Sequence, residues 1–418
     1  MSLNETPRGG RIHIGIFGRR NSGKSSLINA LTGQPAAIVS HKPGTTADPV
    51  FKAMELPHAG PAVFIDTAGF DDEGELGRLR VKKTEETLKK TDIGIIVAEA
   101  GLIREAAIGG AEVLEPERKW LRLMKDRKIP VIIAVSKLDK GEAFGKKLAE
   151  ELFRSYPVVF TSSLKGSGID ELRRIIGETA EAGEEDESLL GDMAGKGDIV
   201  LLVMPQDIQA PKGRLILPQV QTIRELLDRG CTVVSTDAGG LEEGLRSLSR
   251  DPDLIITDSQ CFDAVWERKP EKTRLTSFSI LFAAGKGDAE ILLKGALALD
   301  DMTEKSRILI AEACTHVPVS EDIGTVKIPA LLRKKLGGQV EITNVRGADF
   351  PEGEDLEKYH LIIHCGGCMF NRAYLMSRIK AAVEAGVPVT NYGMVLAKFS
   401  GILDRVEIPR MPRRRGIE

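Results

Sequence analysis

The most constraining stretch of the chain is Gly18-Arg19-Arg20-Asn21-Ser22-Gly23-Lys24-Ser25, placed between an apolar, strand-like run at residues 12–17 and a helix-like run at 26–31. The glycines let the backbone curl until its N–H groups face phosphate oxygens. Lys24 brings a positive charge to the outer phosphates, and the Ser25 hydroxyl can ligate Mg²⁺. Gly18, Asn21, Ser22, Gly23, Lys24, Ser25 and Ser26 are therefore the candidate phosphate-binding residues.

Residues downstream select the nucleotide. Asp66-Thr67-Ala68-Gly69 closes an apolar run at 62–65; Asp66 is expected to hold Mg²⁺ through its water and the Gly69 N–H to meet the γ-phosphate. In the loop Pro43-Gly44-Thr45-Thr46-Ala47-Asp48 a threonine completes the metal shell, with Thr46 favoured over Thr45. Lys24, Thr46, Asp66 and Gly69 form the expected catalytic set. Ser136-Lys137-Leu138-Asp139 ends another apolar run. A carboxylate there accepts both guanine N1–H and the exocyclic amine, a pair of donors that adenine lacks, and the wrong base leaves it unpaired. Asp139 is the guanine reader, Lys137 lays its stem along the base, and Ser162, Ser163 and Leu164 belong to the last loop over it. Phe70 stands where signalling GTPases carry a water-positioning glutamine, so intrinsic hydrolysis is expected to be slow. Arg19 and Arg20 are expected to point to solvent while the loop backbone does the binding.

Runs at 12–17, 62–65, 93–98, 130–135 and 158–160 alternate with helix-like stretches, which predicts a mainly parallel sheet covered on both faces. The acidic, glycine-rich segment 177–197 reads as a linker. Alternation resumes with strands at 199–203, 232–235 and 254–257 and a helix at 219–228, pauses near 271–277, and continues to the end. The fold expected is α/β, a P-loop GTPase domain (1–176) followed by two smaller α/β domains (198–275 and 276–418). No residue-level repeat stands out. A net charge of −3 gives no sign of a nucleic-acid or anionic-membrane partner. The polar start, MSLNETPRGG, lacks a signal peptide's apolar core, so a cytoplasmic location is expected.

Three of the five cysteines lie in the last quarter: Cys314-Thr315-His316, then 47 residues, then His364-Cys365-Gly366-Gly367-Cys368. Both clusters follow predicted strands; if those strands run parallel in one sheet, their carboxyl ends are neighbours at the rim where open α/β sheets bind ligands. A closed zinc site, a disulfide and an iron-sulfur cluster on three thiolates all remain open from the spacing. His316 and His364 are either ligands or hydrogen-bonding neighbours. Cys231 and Cys261 read as small core residues. His13, His41, His58 and His360 lack ligand-like neighbours, and the basic tail from Arg410 reads as solvated.

From residue 11 to about 170 the chain resembles the TrmE-Era branch of translation-factor GTPases. That branch usually shows Asn-Lys-x-Asp where this sequence has Ser136, so the amide that ties the base loop to the phosphate loop is missing and a lower nucleotide affinity is implied. Asn21 matches the asparagine that helps bind K⁺ in many relatives, which implies K⁺-stimulated hydrolysis. With the cysteine clusters added, the whole chain looks like the hydrogenase-maturation GTPase family HydF. That resemblance implies a middle dimerisation domain and a 4Fe-4S cluster on Cys314, Cys365 and Cys368. It further implies a homodimeric scaffold that receives a diiron precursor made with the radical-SAM maturases HydE and HydG, and passes it to apo FeFe hydrogenase. The competing expectation is a tRNA-modification or ribosome-assembly GTPase with structural zinc; the negative charge and 5% aromatic content stand against an RNA-stacking surface.

Overall fold

The computed structural model of the chain describes residues 8–33, 50–57, 59–71, 74–140, 146–184, 188–205, 215–313, 322–347 and 349–411. They form two compact units, one within Arg11–Glu185 and the other within Asp186–Glu418 together with Arg8–Gly10. Arg8–Gly10, expected within the GTPase domain, thus belong to the other unit.

The first unit holds β1 (Ile12–Gly18), β2 (Val50–Leu56), β3 (Gly60–Asp66), β4 (Ile93–Glu99), β5 (Val131–Ser136) and β6 (Val158–Phe160). They pair in the order β2-β3-β1-β4-β5-β6, parallel except for β2 against β3. The inner strands β4 and β5 are buried along nearly their whole length, as strands covered on both faces must be, and therefore read as continuous apolar runs. Strand β2, VFKAMEL, is an edge strand whose residues are exposed or half-buried except Leu56, so its signal is weak in the sequence. One apolar layer packs Leu27, Ile28 and Leu172 on one face; Phe17, Trp120 and Met124 form the other. The helix Ile169–Glu184 runs through the first part of the expected linker. Leu172, Ile176 and Ala180, one helical turn apart, are buried there, and that stripe outweighs the acidic composition. Beyond it Leu190 and Met193 are buried in the second unit, so the segment's end is also packed.

The second unit holds β7 (Ile199–Val203), β8 (Thr232–Thr236), β9 (Leu254–Thr257), β10 (Arg274–Ser277), β11 (Arg307–Glu312), β12 (Glu341–Arg346), β13 (Leu361–His364) and β14 (Val389–Asn391). Two all-parallel sheets result, ordered β10-β9-β7-β8 and β12-β11-β13-β14. The pause expected near 271–277 is strand β10, so a boundary at 275 would cut that strand. One apolar core, from Leu201 and Ile255 to Leu309, Ile362 and Met394, runs through both sheets. In each sheet the first strand lies between the second and the third, with the fourth outside the third. The two sheets therefore repeat one topology although no residue pattern announces it. In each, the chain reverses winding direction between the first and third strands, and ligand crevices of open α/β sheets form at the carboxyl end of such a point. The expected adjacency holds: Ile308 pairs with Leu361 and Ala311 with His364 in parallel register.

Candidate functional site

Gly23, at a φ of 96°, delivers the phosphate loop into the helix Lys24–Thr32. Asn21 is also left-handed, at a φ of 60°, a conformation asparagine tolerates. Lys24 is only 7% exposed, and its ammonium donates to the Gly18 and Arg19 carbonyls at 3.0 and 2.8 Å. Ser25 donates to Asp66 Oδ2 at 2.5 Å, joining the two residues expected around Mg²⁺. The other oxygen, Asp66 Oδ1, is buried without a hydrogen-bond partner. Burial raises the Asp66 carboxyl pKa, opposed by the Ser25 hydrogen bond and by Lys24. An unsatisfied buried carboxylate oxygen is costly, and a hydrated divalent cation beside the phosphates would satisfy it, so these residues fit a magnesium nucleotide. Thr45 and Thr46 lie outside the described residues.

A side chain at Gly69 would come within 2.7 Å of the Arg20 nitrogen and 2.9 Å of Asp71 Oδ1, so only glycine lets the turn after β3 approach the phosphate loop. Asp71 Oδ1 accepts the Arg20 N–H at 2.7 Å. Phe70 is buried in the apolar layer with Phe17 and stacks on Trp120 at 5.7 Å. Ser26 is exposed on the helix's first turn.

The amide expected to be missing from the base loop is absent, and a serine hydroxyl makes a tie in its stead. Ser136, 3% exposed, donates its hydroxyl to the Ser22 carbonyl at 2.7 Å. The end of β5 lies close enough to the phosphate loop for the short serine hydroxyl to span the gap. Ser136→Ala is expected to weaken GTP binding about fivefold, the loss of one hydrogen bond of about 1 kcal/mol, as measured by equilibrium titration with a fluorescent nucleotide. Lys137 adopts a φ of 61° and its ammonium sits 2.7 Å from Glu99 Oε2, a partner that the sequence did not single out. Ser162 donates to Asp139 Oδ1 at 2.7 Å and accepts the Lys165 N–H at 3.3 Å. Ser163 is half-buried, while Leu164 points outward, 84% exposed.

Arg19 also departs from expectation. Its guanidinium forks onto Glu117 at 2.8 and 2.9 Å and donates to the Val113 carbonyl. Glu117 is fully buried, in the stripe that carries Trp120, Leu121 and Met124 on the helix Glu115–Asp126; a carboxylate within an apolar stripe was the available signal. A guanidinium locked this way serves the fold, not phosphoryl transfer. Arg19→Met is expected to cut hydrolysis less than about threefold, where loss of an arginine finger costs about 10³-fold or more; phosphate-release assays check this. It should destabilise the protein by roughly 2–3 kcal/mol, less than a fully buried pair, because the Arg19 side chain is 27% exposed.

In the second unit, Cys365 and Cys368 occupy one turn at the carboxyl end of β13, where Gly367 takes a φ of 65°. Cys365 Sγ accepts the N–H of Ala313, the residue before Cys314, at 3.0 Å, and the Gly367 N–H also favours its thiolate. Desolvation pushes the Cys365 thiol up to about 12, so it is protonated until something binds. Cys314 and His316 lie outside the described residues, among which no three His, Cys, Asp or Glu side chains converge. Two thiols on one turn and backbone amides aimed at sulfur are what an iron-sulfur site requires of its protein, and to that extent the residues fit.

His364 has both nitrogens engaged: Nδ1 lies 2.8 Å from the Cys365 carbonyl and Nε2 lies 3.2 Å from Arg378 Nη1. Burial, then Arg378, holds its pKa down to about 3, so it is neutral and supports the turn through hydrogen bonds. The far end of the turn is pinned by buried Lys286, which donates to the Gly9 and Phe370 carbonyls at 2.9 and 3.0 Å. A side chain at Gly9 would meet the Cys368 carbonyl at 2.3 Å. Cys231 is buried and donates to the Gly195 carbonyl at 3.2 Å. Cys261 is partly buried in the core shared by the two sheets. His13 contacts the Arg11 carbonyl and His360 accepts the Arg307 N–H. His41, His58 and residues 412–418 lie outside the described residues.

A strand-to-helix phosphate loop at the carboxyl rim of a mainly parallel sheet, with the carboxylates Asp66 at the end of β3 and Asp139 on the loop that follows β5, defines a P-loop GTPase domain. Residues 13–137 match the model of the 50S ribosome-binding GTPase family. Residues 189–287 match the hydrogen maturase F dimerization domain and residues 290–409 the hydrogen maturase F tetramerization domain. The chain belongs to the hydrogen maturase F family. It is also 34% identical over 184 residues to a tRNA modification GTPase MnmE of Moorella thermoacetica, covering 42% of this chain and 37% of that protein. A GTPase Der of Sulfurihydrogenibium sp. is 36% identical over 172 residues, with 38% and 36% covered. The chain thus spans little more than a third of the curated relatives it matches. Among solved structures, the G domain of the T. maritima FeoB iron transporter is 26% identical, with 41% of this chain and 99% of that chain covered and a TM-score of 0.30. Among the described residues no helix is long and apolar enough to cross a membrane.

Proposed function

We propose that this protein is a self-associating GTPase that scaffolds the diiron precursor of the FeFe-hydrogenase active site on a 4Fe-4S cluster held by Cys314, Cys365 and Cys368. The contact that supports this reading most directly is the Ala313 N–H on Cys365 Sγ at 3.0 Å, because it aims a backbone amide at the sulfur of a two-thiol turn. Membership of the hydrogen maturase F family supports the hydrogenase connection. The tRNA work in the name of one relative does not carry across a match to 37% of its length.

In this reading the cluster supplies an iron with a replaceable coordination position, which a carrier requires. Cys365 and Cys368 hold it, and His364 fixes the turn through the Cys365 carbonyl. Lys24, Ser25, Asp66 and Thr46 bind magnesium GTP, the Gly69 N–H meets the γ-phosphate, and K⁺ at Asn21 spreads developing charge. With Phe70 in the glutamine position, slow hydrolysis gates partner exchange. The partners are the radical-SAM maturases HydE and HydG and apo FeFe hydrogenase, in the cytoplasm. The unit Arg11–Glu185 carries the nucleotide, residues 189–287 and 290–409 carry self-association, and the Cys365 turn within the latter carries the cluster.

Anaerobic reconstitution of the full chain with iron and sulfide tests the core of this reading. Broad visible absorption with about four irons per chain is expected; bound zinc with tight RNA binding would replace this reading with that of an RNA-directed GTPase.

A further inference from the structure

Arg378 lies on the buried stripe of the helix Arg372–Glu384, among Tyr374, Leu375, Ile379 and Ala382, and is only 3% exposed. A buried guanidinium needs a counter-charge. Among the described residues no carboxylate pairs with it. Its partners are all neutral: His364 Nε2 at 3.2 Å, the Gly347 carbonyl and the Tyr374 hydroxyl at 3.2 Å. Its Nε has none. The faces of Phe350, Phe370 and Tyr374 lie 4.8, 4.5 and 4.8 Å from Cζ, and ring quadrupoles offset part of the desolvation of a cation without neutralising it.

The direction of the hydrogen bonds carries the argument to the cysteines. A guanidinium has only donors, so His364 Nε2 accepts and the ring proton sits on Nδ1, facing the Cys365 carbonyl at 2.8 Å. Arg378 therefore sets the tautomer of His364, and His364 orients the backbone of the Cys365 turn. The same arrangement leaves one uncompensated positive charge a single imidazole ring behind that turn.

We propose that Arg378 is the positioning residue of the iron-sulfur site, its caged charge serving as the built-in counter-ion of an anionic thiolate-bound cluster. This rests on the reading that Cys365 and Cys368 hold a cluster. A fixed positive charge favours the more reduced, more negative state when the cluster takes one electron from an electrode. It also slows loss of iron.

The test is mediated potentiometric titration of anaerobically reconstituted full-length protein, read by electron paramagnetic resonance, together with iron release to a chelator. Arg378→Met is expected to move the reduction potential to a more negative value and to speed iron release roughly tenfold, as for other partners that orient metal ligands; Arg378→Lys is expected to restore most of the potential. Should Arg378→Met not fold, Phe350→Glu places a carboxylate against the guanidinium at a half-buried position and is expected to shift the potential the same way, while Phe350→Leu leaves it in place. Wild-type potential and release rate in a folded Arg378→Met protein, or in Phe350→Glu, would overturn the proposal while leaving the cluster reading intact. A wild-type protein that takes up no cluster would overturn both.

Discussion

Asp139→Asn is expected to lower GTP affinity on the order of a thousandfold and to make xanthosine triphosphate the better ligand. Ser162 holds Asp139 Oδ1 at 2.7 Å, and the loop that carries Ser162 is itself fixed by Gly168, where a side chain would come within 1.9 Å of the Phe160 carbonyl. The carboxylate is thus presented in one orientation, as an acceptor facing two guanine donors. An asparagine in that orientation sets its amide donors against those of guanine, whereas xanthine offers a carbonyl in place of the amine. Competition titrations with both nucleotides read this directly. An unchanged preference for GTP would remove Asp139 from base reading and point to the backbone of the 162–164 loop instead.

Cys365→Ala is expected to abolish iron-sulfur loading, with iron per chain falling to background and the visible absorption disappearing, while GTP hydrolysis by the same preparation stays near wild type. The thiol sits where the Ala313 and Gly367 amides favour its deprotonated form; Cys368 on the same turn is already a ligand in this reading, and His364 has both nitrogens engaged. Cys231→Ala, at a cysteine buried in a separate core, is the matched control and should load normally. Full iron content in Cys365→Ala would place any cluster elsewhere. Loss of loading in the control alone would do the same.

Much of the nucleotide site was legible because its parts are contiguous. Gly18 to Ser25 and Asp66 to Gly69 are short segments whose residue types suffice to name the chemistry, and the central strands β4 and β5 announce themselves by unbroken apolar runs. Residues that act through a partner distant in sequence were not legible. Ser136 looked like the loss of an amide until its hydroxyl met the Ser22 carbonyl, and Arg19 looked like a solvent-facing loop residue until Glu117, 98 positions away, took its fork. Glu117 and Arg378 share one signature, a charge inside an apolar helical stripe. That pattern marks a buried charge but does not name its partner.

Residue order alone marked a phosphate-binding loop, a candidate guanine-reading loop and thiols in two clusters, because those signatures reside in side-chain chemistry at fixed local spacing. Tertiary structure decided which groups meet. It made β11 and β13 parallel neighbours, which sets Ala313 against Cys365. It closed both nitrogens of His364, and it left Arg378 buried beside neutral partners. Each of these depends on strand register and burial, which arise from packing summed over the whole core and are not encoded at any one position.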